Sequence, residues 1–341
     1  MKSRKTVLVT GGAGFIGSHL CDWLVDQGHH VVCLDSMLTG RLENLRRLLP
    51  DRRFDLIERD VIDAPPVRLK PDRIYHLACA ASPPQYQADP VHTMLTCVVG
   101  GRNYLELARS SGARFVLTST SEVYGDPEVH PQAEHYRGAV NIIGPRACYD
   151  EGKRAAESLA SDYHRVWGVD VRIARIFNTY GPRMRRDDGR VISNFVTQAL
   201  AGEPLTIYGD GSQTRSFCYV DDMIRGLIAL GDSERAGPQP INLGNPSEFT
   251  VRELAELVLE LCGSRKALRS LPLPPDDPRR RRPEISRAQK LLGWTPRTPL
   301  REGLKSTIVA LSEELDAAEA ILPGPTSARR RLPARGEARI G

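Results

Sequence analysis

The 341-residue sequence predicts an α/β fold, a doubly wound parallel sheet followed by a smaller C-terminal domain. Three observations carry that prediction. Short β-rich runs alternate with amphipathic helical stretches through the N-terminal half, and strand–helix–strand repetition means a parallel sheet covered on both faces. A glycine cluster joins the first strand directly to the first helix. After Asn178 the alternation loosens, leaving a segment too small and irregular to enclose a second large core.

The strands are, in order, KTVLVT (5–10), HVVCLD (30–35), RFDLIERD (53–60), RIYHLA (73–78), RFVLTST (114–120) and VRIARIFN (171–178). Helical stretches lie at 16–27, 90–110 and 148–167. Beyond them, YGPRMRRDDGR reads as a loop and VISNFVTQALAG as a helix. LTIYGDGSQTRSFCYV holds a glycine-centred turn and a strand, and PINLGNP is one more strand. FTVRELAELVLELCG begins at Thr250 with Glu253 three residues on, the pattern of a capping box. PLPPDDPRRRRPEIS reads as a loop, and SRAQKLLGWTP and PLREGLKSTIVALSEEL as closing helices. The expected division is a first domain over 1–178, with a segment near 216–240 returning to it. A lid-like domain over 179–322 covers the C-terminal edge of the sheet, and 323–341 is a basic tail.

Composition narrows the function classes. With 40% hydrophobic and 26% charged residues the chain is ordinary for a soluble globular protein. The net charge of +5 hints at nucleic acid, but residues 323–341 hold five arginines and one glutamate, so +4 of it sits in the tail. That tail is Pro/Gly/Arg-rich without an apolar period and reads as disordered, and no nucleic-acid partner is expected. The first strand starts too early for a signal peptide, and no run of 18 apolar residues occurs, so no membrane association is expected. Seven cysteines without a CxxC pair fit reduced thiols in the cytoplasm and argue against a metal site.

VTGGAGFIGSH satisfies G-x-G-x-x-G at Gly12, Gly14 and Gly17, and G-x-x-G-x-x-G at Gly11, Gly14 and Gly17. Glycines here permit a tight turn, close approach of backbone to a pyrophosphate, and helix–sheet packing, while the helix start offers free N–H groups. This is the Rossmann-type fingerprint. Asp35 ends the second strand, 18 residues past Gly17, where a carboxylate accepts from an adenosine ribose and repels a 2′-phosphate. NAD is therefore the expected cofactor, with Arg41 weakening the preference over NADP. Asp60, at the end of the third strand, reads equally as an adenine contact or a plain turn cap. Phe15, Ile16, Val61 and Leu77 complete the candidate cofactor contacts, with Tyr149 and Lys153.

TSTSEVYG (118–125) ends a central strand, so Thr120, Ser121 and Glu122 point into the cleft where ligands bind such sheets. Downstream, ACYDEGKRAAE sets Tyr149 and Lys153 four apart, on one helix face. A nearby ammonium lowers a phenol's pKa by about 1–3 units, which would make Tyr149 a base near neutral pH. Alone, YxxxK fits an amphipathic helix with an exposed lysine, and the Ser/Thr cluster fits an ordinary turn. Together with the fingerprint they read as a sugar-oxidising hydride-transfer site. Tyr149 takes a hydroxyl proton, Thr120 positions that hydroxyl, and NAD takes the hydride.

With these residues the chain resembles the extended short-chain dehydrogenase/reductase superfamily and, within it, the UDP-glucuronate decarboxylase family, from about residue 5 to 311. The stretches that carry the resemblance include TSTSEVYGDPEVHPQ, GPRACYDEGKR, ARIFNTYGPRM, YGDGSQTRSFCYVDD and DDPRRRRPEIS. Thr-Ser-Glu at 120–122 is similar to the decarboxylase pattern, whereas related 4,6-dehydratases usually carry an aspartate at the middle position, here Ser121. The resemblance implies that Glu122 and Arg281 serve the loss of CO₂, with Arg281 steadying an enolate. Without it, the run 279–282 would read as a solvated basic loop. It also implies a UDP-sugar substrate contacted by Pro84, Tyr86, Ser121, Asn178, Arg190, Tyr208, Arg215 and Arg281. Arg183, Arg185 and Arg186 are equally cationic but are not assigned. It implies a homodimer through helices 90–110 and 148–167, with Leu105, Ala108, Ala155 and Leu159 on the paired faces. Cys97 stands where the family usually has asparagine, and Ala80 and Ile142 where proline is common. Alternatives at this point are an enzyme releasing the 4-keto pentose, a UDP-hexuronate 4-epimerase, or an NAD-sensing binding protein.

Overall fold

Alternating side chains divide the sheet into two faces, and the helices follow from that division. The computed structural model describes residues 4–272 and 280–321. Its first half runs β1 (Thr6–Thr10), α1 (Phe15–Asp26), β2 (His30–Asp35), β3 (Phe54–Glu58), β4 (Arg73–His76), α2 (Pro83–Ala88), α3 (Pro90–Leu95), α4 (Gly101–Ser111), β5 (Arg114–Thr120), α5 (Ala147–Trp167) and β6 (Val171–Ile176). There follow β7 (Thr179–Tyr180), α6 (Val191–Leu200), β8 (Leu205–Tyr208), β9 (Thr214–Ser216), β10 (Cys218–Tyr219), α7 (Val220–Asp232), β11 (Ile241–Leu243), β12 (Glu248–Thr250), α8 (Val251–Leu261), β13 (Leu268–Leu271), β14 (Arg280–Arg281), α9 (Ser286–Leu292) and α10 (Leu300–Ile321).

The main sheet has the order β11-β6-β5-β4-β1-β2-β3, and every pairing in it is parallel. The order reverses between β1 and β4, which opens a crevice at the carboxyl ends of those strands. Val7 and Val9 point to one face, where they pack with Leu20 and Leu24 of α1 and Leu227 of α7. Leu8 points to the other, with Ile74, Phe115, Tyr104 of α4 and Ala160 of α5. Burying each large apolar side chain contributes about 1.5–3 kcal/mol, so two such faces fix the sheet firmly. Leu105 and Ala108, expected on a face paired with a second chain, are instead each only 1% exposed within this second core. Ala155 and Leu159 are partly buried.

Several boundaries differ from expectation. The sheet pairing ends early in β3, β4 and β6, and the residues that follow each strand leave the ladder to line the crevice. The stretch 90–110 is two helices joined by a wide π-type turn at Thr96–Gly100. A Cβ on Gly100 would sit 2.6 Å from Val61 Cγ2, so the chain presses against the loop after β3 there. The Gly100–Gly101 pair also lowers helix propensity at the break.

In the smaller domain, the Thr250–Glu253 capping box forms as read: Glu253 N–H donates to Thr250 Oγ1 at 3.0 Å, and Thr250 N–H to Glu253 Oε2 at 2.7 Å. The segment read as an arginine-rich loop contains a strand. β14 lies parallel to β9, which is antiparallel to β12, so that Arg281 stands opposite Arg215. The backbone and side chain of Gln132 hold the residues that follow: Gln132 Oε1 accepts from Arg282 N–H at 2.8 Å, and its carbonyl from Glu284 N–H at 2.9 Å. The basic tail 323–341 lies outside the described residues.

Candidate active site

The candidate cofactor, catalytic and substrate contacts line one cleft of about 720 Å³, which runs from the glycine turn to the smaller domain, whereas Gly12 of the fingerprint faces Cys33 and Cys21. At one end the backbone makes the site. Gly11 has φ +73, and a Cβ on it would lie 2.8 Å from Ala78 N. A Cβ on Gly17 would lie 2.1 Å from Gly11 O, so α1 packs on the turn as only glycine allows. Gly14 caps α1 without any side-chain cap, which leaves the first-turn N–H groups for an anion. Asp35 is 7% exposed and takes N–H bonds from Ala13 and Met37, each at 2.9 Å. Burial raises its pKa, and those amides partly oppose the rise. Carboxylate oxygens accept more than one bond each, so Asp35 keeps capacity for ribose hydroxyls. This turn, these amides and this carboxylate fit NAD.

Arg41 behaves differently from expectation. Its guanidinium is ion-paired with Glu314 of α10 and reaches the Arg183 carbonyl at 3.4 Å, so it is tied toward the C-terminal helix. Asp60 caps its turn through Ile62 N–H at 2.9 Å and also meets His92 Nε2 at 2.7 Å. His92 was not legible as a site neighbour, since the partner lies 32 residues away.

At the other end side chains make the site. Lys153 Nζ donates to the Thr118 carbonyl at 2.9 Å and lies 5.8 Å from the centre of the Tyr149 ring. Tyr149 is buried, hydrogen-bonded to the Thr120 side chain, and stacked on Tyr86 with ring centres 5.0 Å apart and 4° between planes. Its pKa is pushed well up rather than down. Burial is the main cause and nearby Cys79 adds to it, while the Thr120 hydrogen bond opposes. The ammonium expected to lower it is committed to the β5 backbone instead. The Tyr86 hydroxyl is buried without a partner among the described residues, in the wall of the cleft.

Glu122 is held by two guanidiniums. Arg281 grips both its oxygens, Nη2 to Oε2 at 2.8 Å, and Arg146 Nη2 reaches Oε2 at 2.7 Å. Burial opposes ionisation, but Arg281 and then Arg146 override it and draw the carboxyl down to about 2. Arg281 is 4% exposed, so the solvated-loop reading of its run fails at this position, while Arg280 beside it is exposed. Arg146 was missed, although a signal existed: a cation at the start of α5 opposes the helix dipole and needs a carboxylate nearby. Asp150 was missed too. It is 5% exposed, its Oδ1 has no partner among the described residues, and burial with repulsion from Glu122 pushes it up to about 7.

Among the remaining substrate candidates, Arg215 is 7% exposed, and its Nη1 donates to the Thr214 carbonyl at 2.9 Å. Arg190 pairs with Asp188, Nη2 to Oδ1 at 3.1 Å. Pro84 packs on Gly189 across the cleft, Tyr208 lines it at 39% exposure, and Ser121 and Asn178 line it as well. Arg183 and Arg185 are paired with Asp22 and Asp187, at 2.5 and 2.7 Å.

Known proteins are similar to this chain in sequence and in fold. The chain is 53% identical to UDP-glucuronic acid decarboxylase 1 of Danio rerio over 330 residues, covering 96% of this chain and 78% of that protein. It is 56% identical to UDP-glucuronic acid decarboxylase 6 of Arabidopsis thaliana over 304 residues, covering 89% of this chain and 88% of that one. Among solved structures, the UDP-glucuronic acid 4-epimerase of Bacillus cereus, in complex with UDP-glucuronic acid and NAD, superposes with a TM-score of 0.81. It is 29% identical, over 91% of this chain and 99% of that one. The dTDP-glucose 4,6-dehydratase DesIV of Streptomyces venezuelae, with NAD bound, gives a TM-score of 0.83 at 30% identity, over 92% and 98%. A family model matches residues 7–244, from the first strand of the main sheet through the last, and by that match the chain belongs to the NAD dependent epimerase/dehydratase family.

Proposed function

We propose that this chain is an NAD-dependent UDP-glucuronate decarboxylase. It oxidises C4 of the glucuronate, releases CO₂ and re-reduces the 4-keto intermediate to give UDP-xylose. The observation that carries the reading is Glu122 clasped by Arg146 and Arg281 beside Tyr149. Two arginines on one carboxylate leave a surplus positive charge where a hexuronate carboxylate would arrive. No acid stands at Ser121 to protonate a leaving hydroxyl, as a dehydratase would need.

NAD, when bound, supplies the hydride acceptor and later the donor. Thr120 orients the C4 hydroxyl, and Tyr149 takes its proton as a phenolate, which the Lys153 ammonium and the positive charge of bound NAD would stabilise against the burial that otherwise holds the phenol neutral. A ketone at C4 is β to the C5 carboxylate, so CO₂ leaves with its electrons moving into an enolate. Arg281 stabilises that charge. C5 then takes a proton from water to restore the ketone, hydride returns to C4, and the Tyr149 proton returns to the C4 oxygen. Arg146 keeps Glu122 ionised while Arg281 turns to the substrate. Arg215 and Arg190 hold the diphosphate, and Pro84 and Tyr86 the sugar.

Incubation with UDP-glucuronate and NAD tests this. CO₂ and UDP-xylose without net NADH are expected. A UDP-hexuronate epimer without CO₂ would mean an epimerase, and stoichiometric NADH with a 4-keto pentose an enzyme that stops midway. Neither product, with NAD bound, would mean a binding protein.

The same reading includes a cytoplasmic homodimer through the α3–α5 side. In place of Leu105 and Ala108, support comes from Val91, Leu95, Val166 and Trp167, exposed at 68%, 40%, 63% and 51%. Sedimentation at micromolar concentration should give a dimer, and a monomer alone would remove this part. Among the described residues no helix is long and apolar enough to cross a membrane.

A further inference from the structure

Cys97 stands out in the sequence, and the reaction described above makes no use of it. It is 2% exposed, in the π-type turn between α3 and α4. Its Sγ lies 3.4 Å from Cys79 Sγ, in the loop after β4. Cys79 belongs to the cleft wall, with Leu77, Ala78 and Ala80. Gly152 of α5 closes over Cys97, since a Cβ there would sit 3.1 Å from Cys97 Cβ. The pair thus bridges the wall of the cofactor cleft and the helix behind it.

We propose that Cys79 and Cys97 form an oxidisable dithiol, a modification site for small hydroperoxides that enter through the cofactor cleft when NAD has dissociated, and that closing the disulfide weakens NAD binding. The two sulfurs share a proton: their contact draws Cys97 down to about 7 and holds Cys79 up, with the Lys153 charge favouring the thiolate on both. Of the two, Cys79 lines the cleft and Cys97 does not, so the Cys97 thiolate serves as the base that takes the Cys79 proton as the Cys79 sulfur attacks. Cys79 sulfur attacks the peroxide, an S–O bond forms and the O–O bond breaks, and the departing alkoxide or hydroxide takes a proton from water. Cys97 then attacks the Cys79 sulfenic acid. The S–S bond forms, the S–O bond breaks, and hydroxide leaves as water with the Cys97 proton. Two thiols are oxidised and one peroxide is reduced.

A disulfide is about 2.05 Å long, so the sulfurs must close by roughly 1.4 Å from their 3.4 Å contact. Cys97 sits in a packed helix turn, so the wall moves. That wall supports the glycine turn, because Ala78 N is the atom a Cβ on Gly11 would meet at 2.8 Å. Bound NAD covers the same wall and blocks both access and movement.

The full-length chain is treated with stoichiometric hydrogen peroxide, with and without NAD, and followed by intact mass and peptide mapping. Expected are a loss of two mass units, a peptide joining Cys79 to Cys97, slower formation with NAD present, and reversal by dithiothreitol. Calorimetry on the oxidised protein should show NAD affinity at least about tenfold weaker, restored on reduction. Cys97→Asn and Cys79→Ser should each lose the linked peptide. A gain of oxygen mass without the link would overturn the site. So would a Cys21–Cys33 link in its place, since that second pair is buried under the glycine turn. A 79–97 link with unchanged NAD affinity would overturn the coupling to the cofactor.

Discussion

The two ends of the cleft are built from different materials. The cofactor end is made of backbone: a glycine turn, the free amides of α1 and one carboxylate fixed by amides, all within residues 11–37. The chemistry end is made of side-chain charges gathered from the turn after β5, the start of α5, β9 and β14. The first is rigid because any added atom collides. The second holds because each charge answers another, so it responds to pH and to single substitutions in ways the first does not.

Removing the base should produce the largest effect. Tyr149→Phe keeps the ring against Tyr86 and leaves the glycine turn untouched, so NAD binding should persist while kcat falls about 10²–10⁴-fold. Loss of NAD affinity by calorimetry would show that the two ends are not separable.

Next come the arginines. Arg281→Ala leaves Glu122 with Arg146, so the protein should fold and lose about 10²–10³ in kcat. An unchanged kcat with a raised KM would move Arg281 to ground-state binding. Arg146→Gln should shift the acid limb of the rate profile. A depressed carboxyl supports activity above its folded pKa and loses it as pH falls through that value, about 2 here. With Arg146 gone, Glu122 faces Arg281 alone, against Asp150 and beside the phenols of Tyr149 and Tyr86, and the limb should move to higher pH. An unmoved limb would leave Arg146 a structural role only.

Asp150 tests how much strain the charged end carries. Its folded pKa is raised to about 7, so the stability it permits is present below the ordinary aspartate range and lost as pH rises through about 7. Asp150→Asn should therefore raise Tm by a few degrees at pH 8 and by less at pH 5 in thermal scans. The smallest effect belongs to the cofactor end. Glu314→Gln releases Arg41, and NADP affinity should rise a few-fold while NAD affinity holds. Equal changes for both dinucleotides would mean that Arg41 does not reach the ribose side.

The same contrast decides what the sequence reveals. The glycine turn, Asp35 and the Tyr149–Lys153 spacing are local, so residue type and spacing are enough to find them. Thr250 and Glu253 were legible for the same reason. Arg281 is not local. Four arginines in a row look solvated, and it is the pairing of β14 with β9 that buries Arg281; family resemblance pointed to it where composition did not. Arg146 answers a carboxylate 24 residues earlier, and the pKa of Tyr149 depends on burial that no spacing reports.

The run of arginines at 279–282 has one more consequence. Four identical side chains contain no information about which of them should face inward. A slip of one residue would present the same chemical group from a displaced backbone, and the segment itself would not register the error. The missing information is stored in Gln132, which pins Arg282 from 150 positions away. Gln132→Ala should therefore act as a frameshift in space: the composition of the site is unchanged, but its alignment is lost.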